Sequence, residues 1–276
     1  DWAGAQETYQ KAIVAGGSRP ELSLRLGVVA SKQKKYEDAL ALLTEARQAG
    51  VESDELLYNF GLAHAQLSHW ADALEAWLPL QQRAPRDERL GLNVARCQYQ
   101  LGHQRFGEGD FGAAAQAWEA CAGVYGEDEN LNQALAEAHF RHGLELLRPA
   151  AHGQAVPPEA RAALQRAREA GEDDETRIDF FQALATLAEG DHKAATRALR
   201  QLHKANDADG GALYHLGFAL RQAGQPDQAA PYLERALQTE LPSHLRLGAT
   251  LILAEAYSAA QRWPDAARMY RAALEA

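Results

Sequence analysis

One spacing constrains this chain more than any other property. A short phrase returns eight times along the 276 residues: an aromatic residue or Pro (His in one copy), a small Ala three positions on, a large apolar residue four later, and a small or apolar one three beyond that. The copies run Trp2-Ala5-Tyr9-Ala12, Tyr36-Ala39-Leu43-Ala46, Trp70-Ala73-Trp77-Leu80, Phe111-Ala114-Trp118-Cys121, Pro157-Ala160-Leu164-Ala167, His192-Ala195-Leu199-Leu202, Pro226-Ala229-Leu233-Ala236 and Trp263-Ala266-Tyr270-Ala273. Successive anchor alanines stand 34, 34, 41, 46, 35, 34 and 37 residues apart. Steps of three and four put each phrase on one face of a helix. There the Ala lets a neighbouring helix come close, and the large residue fills the gap beside it. A period of about 34 residues belongs to stacked helix–turn–helix units.

Composition points the same way. Aromatics are only 8% of the chain, Ala and Leu are plentiful, and no Val/Ile-rich stretch alternates as a half-buried strand would. The chain reads as all-α. A second amphipathic helix precedes most anchors and carries its own mark twelve or thirteen residues upstream, at Leu26-Gly27, Phe60-Gly61, Leu101-Gly102 and Leu216-Gly217. Turns at Gly109-Asp110, Gly190-Asp191 and Gly224-Gln225 separate the two helices, with Gly suited to the left-handed backbone of a helix end. On these residues the chain resembles the tetratricopeptide repeat (TPR) family over nearly its whole length. Stretches such as LLYNFGLAHAQLSHWADALEAW and ALYHLGFALRQAGQPDQAAPYLERAL are similar to that family's consensus. The resemblance implies a right-handed superhelical solenoid of antiparallel helix pairs, about seven repeats preceded by an N-terminal half repeat.

The departures carry expectations of their own. The family's proline after the second helix is clear only at Pro85 and, shifted, at Pro242. The steps of 41 and 46 predict lengthened first helices near residues 88–105 and 130–147, followed by an irregular, disordered loop over 148–157. The domain reading is a single solenoid over 1–276, with repeats in 1–147 and 158–276 flanking that loop. Asp1 falls inside a second helix, and Ala276 ends on another. Neither end carries the polar capping helix a solenoid needs, so a piece of a longer protein is expected, with self-association through the uncapped ends.

The resemblance also implies where a partner binds. First helices of the family line a concave face, and the matching positions here are Arg25, Lys32, Tyr58, Asn59, Leu62, Asn93, Arg96, Arg105, Phe140, Arg141, Phe180, Phe181, Tyr214, His215, Phe218 and Arg221. No acidic residue is among them, although the whole chain has a formal charge of −10. Arg grips carboxylates and Asn pairs with peptide backbone, so an extended, acidic or C-terminal peptide is the expected ligand. The competing reading pairs these arginines with Glu of adjacent repeats and leaves the groove neutral. Some family members clamp a C-terminal carboxylate with Lys, Asn and Arg. Asn59 matches one such position, but Leu24, Val28 and Leu62 are apolar where polar residues are wanted, so chaperone-tail binding is not expected.

A net negative chain lacks the general basic face that nucleic acid or an anionic membrane surface requires, and no apolar run reaches the roughly 18 residues of a spanning helix. No GxSxG, HExxH or phosphate-binding glycine loop is present, so no enzyme activity, cofactor or metal is expected. His139 and His142 stand three apart without a third ligand and read as solvated or groove-lining. Cys97 and Cys121 read as buried free thiols, and Trp70, Trp77, Trp118 and Trp263 as core. The leading function is a protein-binding scaffold. Two alternatives are the periplasmic part of a bacterial envelope or exopolysaccharide export protein, and a ligand-sensing regulatory domain of a larger enzyme. The sequence names no compartment, cytoplasmic or periplasmic.

Overall fold

Five of the described helices begin at a side-chain cap, and the turn inside each described pair passes through a left-handed residue. The computed structural model describes residues 20–126, 128–148, 156–171, 175–205 and 210–275, with positions 4, 7–9 and 11 ahead of them. Fourteen helices over Pro20–Glu275 account for nearly all of this. They are α1 Pro20–Lys32, α2 Tyr36–Gln48, α3 Asp54–Gln66, α4 Trp70–Arg83, α5 Glu88–Gly107, α6 Phe111–Tyr125 and α7 Glu129–Leu147, then α8 Glu159–Glu169, α9 Glu175–Ala188, α10 His192–Ala205, α11 Gly210–Gln222, α12 Pro226–Leu237, α13 Ser243–Ala259 and α14 Trp263–Glu275. No strand occurs among the described residues. Ser53, Asp87, Asp110, Asp128 and Asp191 each accept a hydrogen bond from the backbone N–H three residues on. Each such cap is worth about 1 kcal/mol.

The turn inside a pair is the same wherever it is described. A residue with positive φ stands five positions before the anchor alanine: Lys34, Ser68, Gly109, Gly190, Gly224 and Gln261. The next residue donates its N–H to the carbonyl five back, as in Lys35 to Ala30 and His69 to His64. This is the helix-ending motif in which one left-handed residue satisfies the last carbonyls. Glycine was expected at three of these positions. At the other three, Lys34, Ser68 and Gln261 take the same conformation without it. In the last pair the motif also gathers side chains: the Arg262 guanidinium lies 4.2 Å from the Tyr257 ring centroid and 2.7 Å from the Asp265 carboxylate.

The chain forms two compact units, Asp1–Leu135 and Ala136–Ala276, with the division inside α7. In the first, α1–α2, α3–α4 and α5–α6 are antiparallel pairs, with α2 also packed on α3 and α4 on α5. In the second, α9–α10, α11–α12 and α13–α14 repeat the scheme. First helices also touch one another, α1 with α3 in the first unit and α9 with α11 and α11 with α13 in the second. They thus form one layer of each unit. All seven described anchor alanines are buried. The glycines Gly27, Gly61, Gly102 and Gly217 sit directly against Leu43, Trp77, Trp118 and Leu233, so close that a Cβ would lie under 3.0 Å from them. Gly143 meets Leu164 the same way. The indole N–H groups of Trp77 and Trp118 donate to the carbonyls of Tyr58 and Tyr99, both at 3.0 Å.

The lengthened helices are present: α5 has 20 residues and α7 has 19, against 13 for α1, α3 and α11. Residues 149–155 of the expected loop, and Trp2, Ala5 and Ala12 of the first copy, lie outside the described residues. Trp77 and Trp118 are core, and Trp70 is half-buried. Trp263 corrects the sequence reading: it opens α14 with 63% of its surface exposed, because the core reaches α14 at Ala266 and Met269 instead. Tyr270 and Leu274 are exposed on the same helix. His139 is a second correction, being buried rather than solvated. Cys97 and Cys121 are buried and unbridged, and burial pushes both thiols up to about 11. No helix among the described residues is long and apolar enough to cross a membrane.

Candidate functional site

In the first unit, residues of α3, the α3–α4 turn and α5 line a groove with a cavity volume of about 490 Å³. Gln66, Ser68 and Trp70 form one wall, Asn93, Arg96 and Gln100 the other, with Tyr125 at the end and the buried Trp77 and Cys97 beneath. The α5 residues occur at steps of three and four, so one helical face presents an amide, a guanidinium and a second amide in a row. Asn93 is held by a 3.4 Å hydrogen bond to the Tyr58 hydroxyl, and Tyr58 tilts against Trp77 at 6.2 Å. Tyr125 stacks on Tyr99 at 5.2 Å. Burial pushes the Tyr125 phenol up, while the nearby Arg96 charge pulls it the other way.

The cations expected in a groove divide sharply. Arg25 of α1 binds Glu55 of α3 at 2.6 Å. Arg105 turns to Glu108 at 3.0 Å and Arg141 to Glu137, each within its own helix or at its end. Arg221 of α11 forks onto Glu255 of α13. Arg96 is different: it is exposed, and among the described residues it meets no carboxylate. Lys32 is exposed at the end of α1, away from that groove lining. Asn59 is a correction. It is buried, and its amide donates to the Glu55 carbonyl of its own helix at 2.8 Å, so it packs within α3 rather than lining the groove.

In the second unit the expected aromatic residues form a string rather than a set of separate contacts. Phe140 meets Phe181 at 5.6 Å, Phe181 meets Phe180 at 5.2 Å, Phe180 meets His215 at 5.6 Å and His215 meets Tyr214 at 4.9 Å. Phe218 closes it 6.4 Å from Tyr214. Phe140 is also a correction: it is fully buried, with Arg177 over its ring at 3.9 Å, and serves as core. Phe181, Tyr214, His215 and Phe218 keep part of their surface in solvent. Leu247 and Leu251 of α13 are exposed one helix further, on either side of the Gly248 that abuts Tyr214. Burial raises the Tyr214 phenol, and Arg221 opposes that shift.

Two family models, both described as tetratricopeptide repeat, match residues 1–53 with 180–244 and residues 249–276. Together they span more than half of the chain. This chain is a tetratricopeptide repeat protein. Comparison with curated protein sequences returned no match. Solved structures with related backbones include a MamA protein, 17% identical, covering 66% of this chain and 90% of its own at a TM-score of 0.46. A second is a tetratricopeptide repeat protein from Parabacteroides merdae, 14% identical over 92% of this chain and 93% of that one, TM-score 0.35. Yeast Tom70 is 14% identical over 99% of this chain and 65% of its own, TM-score 0.44. Repeat proteins of this family are generally non-catalytic interaction scaffolds.

Reading the tetratricopeptide pattern from sequence found Leu62, Asn93 and Arg96 in the groove but missed Gln66, Ser68, Trp70, Gln100 and Tyr125. The signal was available: Gln100 lies one further turn along the Asn93–Arg96 face. His64, just ahead of Gln66, was missed as well; burial lowers its pKa toward the neutral form against the pull of Asp72.

Proposed function

We propose that this protein is a scaffold that captures an extended segment of a partner protein, and that an acidic side chain or terminal carboxylate of that segment lands on Arg96. One observation carries the reading. Four of the five arginines expected to bind ligand already commit their charge to a neighbouring carboxylate, whereas Arg96 faces a groove where, among the described residues, no anion stands beside it. A guanidinium held this way gains a bidentate partner when a carboxylate arrives. The flanking amides of Asn93 and Gln100 suit peptide N–H and C=O groups, and Trp70 and Tyr125 offer rings to an apolar side chain. Acid preference is therefore local to one anchor, and this accommodates the net negative charge of the chain. The half-buried Tyr214 and Phe218 and the exposed Leu247 and Leu251 of the second unit supply an apolar surface suited to a second stretch of partner.

Fluorescence polarisation with an array of extended acidic peptides tests this. Arg96→Glu should weaken binding at least tenfold. Arg141→Glu removes a charge already committed to Glu137 and should leave it within twofold. Equal affinity in the wild type and Arg96→Glu, or an equal loss in both variants, would sink the assignment.

A further inference from the structure

The turn between α3 and α4 does more than reverse the chain. Because Ser68 sits at φ 62°, the His69 N–H reaches back to the His64 carbonyl at 2.9 Å, and α4 starts at once. That backbone stacks three positions: His64 in the last turn of α3, His69 at the cap of α4, and Asp72 in the first turn of α4. Their possible ligand atoms all lie within 4.8 Å of one another. His64 Nδ1 points toward Asp72 Oδ2 at 3.7 Å, too far for a hydrogen bond. This nitrogen is buried and has no hydrogen-bond partner. Its ring is held from behind by Phe60, with centroids 5.0 Å apart, and the His69 ring stands 5.7 Å away. A buried polar atom left unpaired costs stability, and here the unpaired atom faces an imidazole and a carboxylate.

We infer that His64, His69 and Asp72 form a binding site for a divalent transition-metal ion of the zinc, copper(II) or nickel class. Two imidazoles and one carboxylate are the donor set those ions prefer over magnesium or calcium, which take oxygen. Metal–ligand bonds of about 2.0–2.2 Å put ligand atoms roughly 3–4 Å apart. His69 and Asp72 are exposed and can close the difference by rotating, while His64 is pinned by packing. Three protein ligands leave a coordination position open. His69 lies in the chain between Ser68 and Trp70, both of which line the groove. The equivalent positions of the other described turns lack this set: Ala30, Lys35 and Asp38 in the first, for instance, and Leu220, Gln225 and Gln228 between α11 and α12.

Titration of the full chain with Zn(II), Cu(II) and Ni(II) against a chromophoric chelator tests the inference, with Mg(II) and Ca(II) as comparators. One ion per chain should bind, and His69→Ala and Asp72→Asn should each weaken it at least tenfold, while His244→Ala, at an exposed position of the second unit, should not. Both test substitutions are at exposed side chains, so folding is preserved, and a zinc-induced rise in melting temperature should occur in the wild type and disappear in them. Absence of saturable binding by all three transition metals overturns the inference. So does affinity unchanged in His69→Ala and Asp72→Asn, or equal binding of Mg(II) or Ca(II).

Discussion

At the scale of single residues, the close approach of paired helices depends on glycines that have no room for a methyl group. Gly61 and Gly102 lie against the indoles of Trp77 and Trp118. Those rings cannot retreat, because each is tied by its N–H to a carbonyl of the facing helix. Gly102→Ala should therefore destabilise by about 1–3 kcal/mol through overpacking, despite the roughly 1 kcal/mol that Ala gains in helix propensity. Gly123 is an internal control, being helical and exposed with nothing within 4 Å of an added Cβ. Gly123→Ala should stabilise by up to about 1 kcal/mol on propensity alone. Urea denaturation of both variants checks the contrast, and shifts of the same sign would mean that the indoles yield.

At the scale of elements, each described turn inside a pair rests on one left-handed residue, and three of the six are not glycine. A side chain in that conformation costs about 1–2 kcal/mol, offset in part by the greater chain entropy glycine loses on folding. Lys34→Gly and Gln261→Gly should each raise stability by about 0.5–1 kcal/mol, measured as a shift of the denaturation midpoint without change of slope. A loss of stability would mean that the turn draws on those side chains. The element level was also the most legible from sequence. Helix pairs, their partners across each glycine and the two lengthened first helices all follow from anchor spacing, because a period of 3.6 and a close-packing residue leave few alternatives. Register was harder to read where helices lengthen. Phe140, in the 19-residue α7, turned into the core rather than toward solvent. Local hydrogen bonding was harder still, since nothing in the pattern says that Asn59 folds onto its own helix.

For the whole molecule, ionisable groups buried in both units predict sensitivity to alkali. Burial raises Cys97 and Cys121 from 9.0 to about 11. Burial and a hydrogen bond to Glu234 raise Tyr257 from 10.0 to about 12. Each group stays protonated in the fold at a pH where the unfolded chain would already ionise, so its contribution is intact below the unfolded value and lost as pH climbs toward the folded one. Stability should hold to about pH 9 and fall progressively to pH 11 and beyond, and Tyr257→Phe should flatten the part above pH 10. Constant stability from pH 8 to 11 would mean that these groups titrate freely. Iodoacetamide should label neither thiol at pH 8 until the chain is unfolded. The site was less legible than the fold for a related reason. Arg25 and Arg221 find Glu55 and Glu255, 30 and 34 residues away, one repeat along; only by aligning successive repeats against each other could such pairs be anticipated. What set Arg96 apart was the absence of such a partner among the described residues.

The turn that joins each pair has one more consequence. Its hydrogen bonds run between backbone atoms, so the three positions it stacks do not depend on what side chains they carry. Between α13 and α14 the same positions hold a ring, a guanidinium and a carboxylate in contact; between α3 and α4 they hold two imidazoles and a carboxylate. The connection thus behaves as a portable three-point scaffold, repeated along the chain and filled differently at each stop, so that new surface chemistry can be installed in one repeat by exchanging side chains while the architecture of its neighbours stays as it was.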